Sequence, residues 1–471
     1  MRLDVAKTDI VACQQAALPP DWAEPDPAYR AALDWVWAFS AAARSEAAMA
    51  AQRARKLPRM RALVAALDDP QRTFRSVLVA GTKGKGSTVA MLDACLRAAG
   101  LRTGRYTSPH LVNWRERTCV DGQPISTDAV VELIEPVREA IARMPDDLGQ
   151  PTTFEVGTAI AFLHFARAHL DVGILEVGVG GRYDATNVVE PLVSVIAPVS
   201  YDHTRTLGPT LTQIARHKAG ILRSGRSGVI APQPAEALLV IQDEADAIGA
   251  SLEHIGRDWA WSTSGDARAP ITITSARYTG VPPLEARVAL LGDHQRDNAT
   301  TAVAALHALG RLRPELAAAP DALRAGLQTV EWPGRLQVLR DRPLLVLDGA
   351  QNAASAQVLR RALHASFRYA RLLVVLGLTE GKDAEGVLEA LGPTAAGVFV
   401  TRAKHERAAE PSQLAERARE LLPGARVRVE PDLDAALSAA LVEARPDDLV
   451  LVTGSLFLVG EALVWWDRSP R

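Results

Sequence analysis

Cysteine is scarce in this chain: three in 471 residues, Cys13, Cys95 and Cys119. Their spacing excludes a cysteine metal cluster and gives no convincing disulfide framework, and a reducing compartment fits. Cys95 falls inside an expected helix and reads as a small core residue. An excess of one charge is missing too, since 53 basic residues face 55 acidic ones for a net charge of -2. No broad field therefore exists to hold a nucleic acid or an anionic membrane, and a negative substrate must be met by a local site. Long apolar runs are also lacking. The opening residues MRLDVAKTDIVACQQ have no apolar core of the secretory kind. The most apolar late run, Leu449 to Trp466, is broken by Thr453, Gly454, Ser455, Gly460 and Glu461, which suits a strand, a turn and a helix better than a membrane span. We expect a cytoplasmic protein. Hydrophobic residues at 48% and charged residues at 23% are ordinary for a globular protein, and the length exceeds one core, so two or three domains are expected.

What is present is a strand, a glycine loop and a helix in Ser76 to Gly100, SVLVAGTKGKGSTVAMLDACLRAAG. Gly81, Gly84 and Gly86 carry no Cβ, so backbone N–H groups can close around phosphate oxygens at the positive end of the helix. Lys85 can reach the outer phosphates, and Ser87 can offer a hydroxyl to magnesium. The general phosphate-loop pattern is not met, because Val79 stands at its first glycine and Gly86 separates the lysine from the serine. Upstream, LPRMRALVAAL places Leu57, Met60, Leu63, Val64 and Leu67 on one helical stripe, a packing face. Downstream, DVGILEV reads as a strand with Glu176 at its carboxyl end, where open α/β sheets bind ligands and where a hard carboxylate suits magnesium. Leu192 to Val199 is a further strand, and Ser224 to Val288 looks irregular, with β-like pieces such as Ile271 to Ser275. Pro333 and Gly334 punctuate a domain boundary, after which strands at Leu344 to Leu347, Leu372 to Leu376, Val398 to Thr401 and Leu449 to Val452 alternate with helical stretches.

The loop GTKGKGST closely resembles the GTNGKGS loop of folylpolyglutamate and dihydrofolate synthases, relatives of the Mur ligases; Lys83 stands where that family usually has asparagine. The string EVGVGGRYDATN, residues 176 to 187, is similar to the family's EVGLGGRLDATN, and TSPHL, TTFE, DHT and WPGRLQ follow the family's landmarks in order. The likeness runs from about Leu57 to Glu461. It implies an α/β protein: an N-terminal domain with a phosphate-loop-type, mostly parallel sheet and helices on both faces (1–332), a linker (333–340), and a smaller Rossmann-like C-terminal domain (341–471). It implies an ATP-dependent ligase that adds L-glutamate to dihydropteroate or to folates through an acyl phosphate, with ATP as co-substrate and Mg2+ as cofactor. On the family's pattern, ATP is met by Gly84, Lys85, Gly86, Ser87, Asn298, Arg335 and Asp348, with Asn298 reading the adenine edge. Magnesium falls to Ser108, Glu176 and His203. Thr152, Thr153, Phe154, Glu155, Tyr183, Asp184 and Ala185 border the pterin-bearing substrate. Lys85, His203 and Lys218 carry the catalytic roles, and Lys218 matches a lysine that is carbamylated in relatives. Gln351 replaces the histidine of the family's DGAHNP, and glutamine cannot carry charge or shuttle a proton. The implied partners are small molecules, with no nucleic acid and no membrane, and relatives are commonly monomers. Two rivals stand beside this reading: a Mur-type peptidoglycan ligase, and a nucleotide-binding relative that has lost catalysis.

Overall fold

The computed structural model describes residues 21, 26–40 and 46–469, without the side chains of 46–54 and 393. Cys13 and the opening segment lie outside the described residues. Eight strands form the first sheet: β1 (Arg75–Ala80), β2 (Thr103–Tyr106), β3 (Thr118–Val120), β4 (Gln123–Pro124), β5 (Val172–Glu176), β6 (Val193–Ile196), β7 (Ser227–Ile230) and β8 (Ser251–His254). Their order is β4-β3-β2-β5-β1-β6-β7-β8. The six strands from β2 to β8 run parallel, and β3 and β4 form an antiparallel margin. In β1, side chains alternate between faces: Leu78 and Ala80 join one core with the helices Thr127–Ala142 and Thr153–Arg167, whereas Val77 and Val79 join another with Lys85–Ala98 and Asp293–Leu312. A strand buried on both faces must be apolar throughout, which is why SVLVA is a continuous run.

A small antiparallel sheet, β9 (Trp259–Ser262), β10 (Ile271–Ser275) and β11 (Leu284–Ala286), packs into the second core. The expected irregular stretch is thus largely ordered, since β7, β8, these three strands and the helix Ala235–Ile248 all fall within it. Strands of three to five residues between polar turns leave too little periodicity to be read from sequence.

The last third forms a second α/β unit from β12 (Gln337–Asp341), β13 (Leu344–Leu347), β14 (Leu372–Leu376), β15 (Ala395–Val400), β16 (Arg426–Val429) and β17 (Leu449–Thr453), in the order β12-β13-β17-β14-β15-β16. All are parallel except β12, which ladders antiparallel onto β13 from Gln337 onward, inside the stretch expected as linker. Helices cover both faces here as well. The packing stripe near the start of the chain lies on the helix Glu46–Ala65 and just beyond it, with Met60, Leu63, Val64 and Leu67 buried. Among the described residues no helix is long and apolar enough to cross a membrane.

Candidate active site

The glycine loop leaves the end of β1 and is stitched to the segment leaving β6. Thr82 N and Lys83 N both donate to Pro198 O, at 2.8 and 3.2 Å, and the Thr82 hydroxyl donates to Ser200 O. Two glycines are demanded by close approach. Gly84 has φ +77, and a Cβ there would stand 2.6 Å from Asn298 Oδ1. A Cβ on Gly86 would stand 2.7 Å from the Trp332 ring, which carries Arg105 on its plane at 5.1 Å. The loop then opens the helix Lys85–Ala98, whose N-cap Gly84 supplies no side-chain cap, and the first-turn N–H groups of such a helix end are the kind that receive phosphate.

Lys85 Nζ lies 3.7 Å from Glu176 Oε1, and Ser108 N donates to Glu176 Oε2 at 3.2 Å. Glu176 closes β5 one strand over from the loop, paired in register with Val79. Burial pushes its carboxyl above the ordinary value, against the pull of Lys85, the Ser108 N–H and Arg335. A buried carboxylate in that position favours a cation beside it. The oxygens of Glu176 and Ser108 are the hard donors magnesium takes, and they fit it. His203 sits just past β6 at φ 50, its ring half-exposed. Burial and the nearby Lys382, Lys85 and Lys218 hold its imidazole below the usual value despite Asp202, so it is kept in the neutral form a metal requires. Among the described residues no three carboxylate, histidine or cysteine side chains gather to cage a metal, so an ion here would complete its shell with phosphate and water.

Lys218, which on sequence alone could be an ordinary solvated helix charge, is buried, and its Nζ donates to Gly81 O at 2.7 Å. Burial first, then Lys85 and Lys83, bring its amine down to about 7. Asn298 and Ser87 meet through Gln295: Gln295 Nε2 donates to Ser87 Oγ at 3.3 Å, and Asn298 Nδ2 donates to Gln295 Oε1 at 2.9 Å. Asn298, expected at the base edge, is buried beneath Gly84, where its amide also leaves no room for a Cβ on the loop. Arg335 lies over Gly349, and its charge is felt by Glu176, Asp348 and His294. Asp348 accepts from Leu336 N and Ala350 N, at 3.0 and 2.9 Å, so this carboxylate fastens the stretch containing Arg335 to the end of β13.

The residues expected at the pterin divide into two groups. Phe154 lies against Gly178 and 5.9 Å from the Tyr106 ring; Tyr183 is exposed, edge-on to His217. Ala185 is buried beside them. Asp184, in contrast, gives both oxygens to Val179 N, Thr186 N and the Thr186 hydroxyl, holding the loop after Glu176 in shape. Glu155 is likewise occupied. It receives Arg59 at 2.9 and 2.8 Å and the Thr152 N–H and hydroxyl at 2.8 and 2.6 Å, forming a capping box with Thr152. Thr153 meets the Ser40 hydroxyl at 3.0 Å. Both carboxylates are thus tied into the local backbone, and both are buried.

Several residues here were not singled out by sequence. Trp332, Arg105 and Gln295 brace the glycine loop, and Glu116 accepts from the N–H groups of Leu111, Val112 and Asn113 to fix the TSPHL loop. Trp332 and Gln295 fall inside strings that the family resemblance had marked; Arg105, between two glycine-containing segments, gives no local signal.

The chain matches the Mur ligase middle domain over residues 79–306 and the Mur ligase glutamate ligase domain over 334–456. It is 38% identical over 411 residues to a probable bifunctional folylpolyglutamate synthase/dihydropteroate synthase of Halobacterium salinarum, an alignment covering 86% of this chain and 49% of that one. The chain thus spans about half the length of that relative. To the dihydrofolate synthase/folylpolyglutamate synthase of Bacillus subtilis it is 35% identical over 413 residues, covering 86% of this chain and 93% of the other. The bifunctional folylpolyglutamate synthase/dihydrofolate synthase of Yersinia pestis, solved with AMPPNP and Mn ion, superposes with a TM-score of 0.78 at 31% identity, covering 95% of this chain and 99% of that one. By its loops, its two sheets and these alignments, the chain belongs to the folylpolyglutamate synthase/dihydrofolate synthase family.

Proposed function

We propose that this chain is an ATP-dependent amide ligase that joins L-glutamate to dihydropteroate, to reduced folates, or to both. The observation that carries it is the ion pair of Lys85, from the glycine loop, with the buried Glu176 at the end of β5, a carboxyl on which the charge of Arg335, from the stretch between the two sheets, also acts. A carboxylate resists attack because its charge repels a nucleophile and oxide cannot leave. Transfer of the γ-phosphoryl group of ATP to that carboxylate, releasing ADP, gives an acyl phosphate with a good leaving group. The α-amine of glutamate then attacks the carbonyl carbon, phosphate departs, and the amide keeps the bond while the amine loses a proton.

In this reading the loop N–H groups of Gly84 to Ser87 and the Lys85 ammonium hold the phosphates, and Arg335 adds a planar fork that matches phosphate oxygens. Ser108, Glu176 and His203 would hold magnesium, which when bound supplies charge neutralisation at the transferring group. Asp348 and Asn298 act on ATP through the backbone they hold in place. Phe154 and Tyr183 present an apolar border with one polar tip to the pterin, and Asp184, Glu155 and Thr152 keep that border rigid. Lys218, near half-neutral at pH 7, has the free amine that carbon dioxide needs, and a carbamate there would turn a cation into an acceptor. Lobe closure about the Arg335 segment excludes water from the acyl phosphate. The division into 1–332 and 341–471, a cytoplasmic setting, a single-chain state and small-molecule partners belong to the same reading.

The test is to supply ATP and glutamate with dihydropteroate, tetrahydrofolate or a UDP-muramoyl acceptor, then follow phosphate release and product mass. One glutamate added to a pterin acceptor is the expected result, lowered roughly 100-fold or more by Lys85→Ala. Phosphate release with the muramoyl acceptor alone, or nucleotide binding with no turnover on any acceptor, would overturn it.

A further inference from the structure

The glycine loop carries a lysine, Lys83, that the phosphate-cradling geometry does not use. Its Nζ instead reaches Asp202 Oδ2 at 3.6 Å. The other oxygen of the same carboxylate, Oδ1, faces Lys382 Nζ at 4.0 Å, and Lys382 lies in the turn between β14 and the helix Ala384–Leu391 of the second sheet's unit. Oδ1 also accepts the N–H of His203 at 2.9 Å, which fixes the carboxylate plane at the exit of β6. Resting on the ligase reading above, we propose that Asp202 is an interlobe positioning residue whose two oxygens are divided between Lys83 of the glycine loop and Lys382 of the C-terminal unit, tying the loop to the closed arrangement of the lobes.

Three features support this. Asp202 is the place where a charged side chain of the loop and one of the far unit share a counter-charge, so movement of either lobe must stretch the bridge. All three side chains are partly exposed. Ion pairs of this length and exposure are weak, which suits a contact that must break and reform at each turnover. Finally, Lys83 and Lys218 are both drawn to Asp202 and both repelled by Lys85, so several lysines crowd around one carboxylate and a polyanion among them relieves that crowding. Nucleotide entry therefore favours the bridged, closed arrangement. With asparagine at position 83, the usual residue in the resembled loop, the loop side of the bridge would carry no charge.

The experiment is a double-mutant cycle of Asp202→Asn and Lys382→Met, read as kcat/KM for ATP and, independently of turnover, as AMPPNP affinity by calorimetry. Each single change should lower kcat/KM roughly tenfold and the double change should be no worse than the weaker single, the non-additivity expected of groups in direct contact. Lys83→Asn should shrink the coupling between the two positions, and Lys83→Arg should restore it. Additive losses, or equal coupling in Lys83→Asn, would overturn the bridge while leaving the ligase reading intact. If the wild-type protein binds AMPPNP but couples no glutamate, the ligase reading fails, and the cycle on AMPPNP affinity still decides the bridge. Lys382 lies in a turn and is part-exposed, so Lys382→Met does not threaten the core and keeps the cycle readable.

Discussion

Single side chains set the first set of consequences. Arg59 and Glu155 are both almost fully buried and joined by two hydrogen bonds, a pair that binds the Glu46–Ala65 helix to the start of the Thr153–Arg167 helix. Removing one partner strands the other charge, so Arg59→Met should destabilise the fold by about 3–5 kcal/mol in chemical denaturation. His294 gives a pH signature. Burial, helped by Arg335 and Arg361, pulls its imidazole from 6.5 to about 4. The unfolded chain takes up this proton below about 6.5 while the native state refuses it until about 4, so stability falls as pH drops through that window. His294→Gln should flatten that part of the stability-pH curve. At this scale the sequence was legible where a residue type has one job: Lys85, Glu176 and the loop glycines sit where their chemistry pointed. Less legible were the partners of Asn298, Asp184 and Glu155, whose hydrogen-bonding capacity fits a ligand as well as a backbone. Those partners, Gln295, Thr186 and Arg59, are distant in sequence or shared with the turn.

Between residue and molecule stand the elements. The Trp332 ring lies between Gly86 and the Arg105 guanidinium, so the segment entering the second unit is packed directly on the glycine loop. Trp332→Ala removes a large buried contact and the cation–π partner of a guanidinium. The expected result is a roughly tenfold rise in KM for ATP with a smaller fall in kcat, since the loss falls on phosphate positioning. Unchanged kinetics would mean that the loop keeps its form unaided. Strands that are continuous apolar runs were readable from sequence: β13 and β14 match their expected limits to the residue, as does the alternating β10. The helix Ala235–Ile248 and strands β7 and β8 were lost in the stretch taken as irregular. The register that brings Glu176 level with Val79 is a tertiary fact with no local sequence signature.

For the whole molecule, the two units touch through charged and aromatic side chains, Lys382 on Asp202 and Phe367 under Arg268, and through small residues. A Cβ on Gly460 would collide with Leu111 O at 2.1 Å, and Gly334 faces the Leu111 side chain, so the TSPHL loop of the first unit is seated on the second. If nucleotide closes this seam, AMPPNP should slow tryptic cleavage after Arg335 several-fold, read by mass spectrometry of the fragments. Equal rates with and without nucleotide would argue for a rigid pair of lobes. That the chain has two units is written in its Pro and Gly punctuation and its alternating strands. How the units face each other is not, because the contacts are scattered single residues far apart in sequence, such as Lys382 on Asp202 and Gly460 on Leu111.

β1, β5 and β6 of the first sheet and β13 and β14 of the second all release their chains toward the same gap, delivering Gly81, Glu176, Asp202, Asp348 and Lys382. The buried rods are fixed by packing, whereas their tips are held by hydrogen bonds and ion pairs from loops and neighbouring helices. Exchanges such as lysine at 83 or glutamine at 351 can therefore retune which acid is accepted, or how tightly the gap shuts, without disturbing a single core contact. Diversification of such an enzyme should be concentrated at strand tips, and the rods should tolerate only swaps of equal volume.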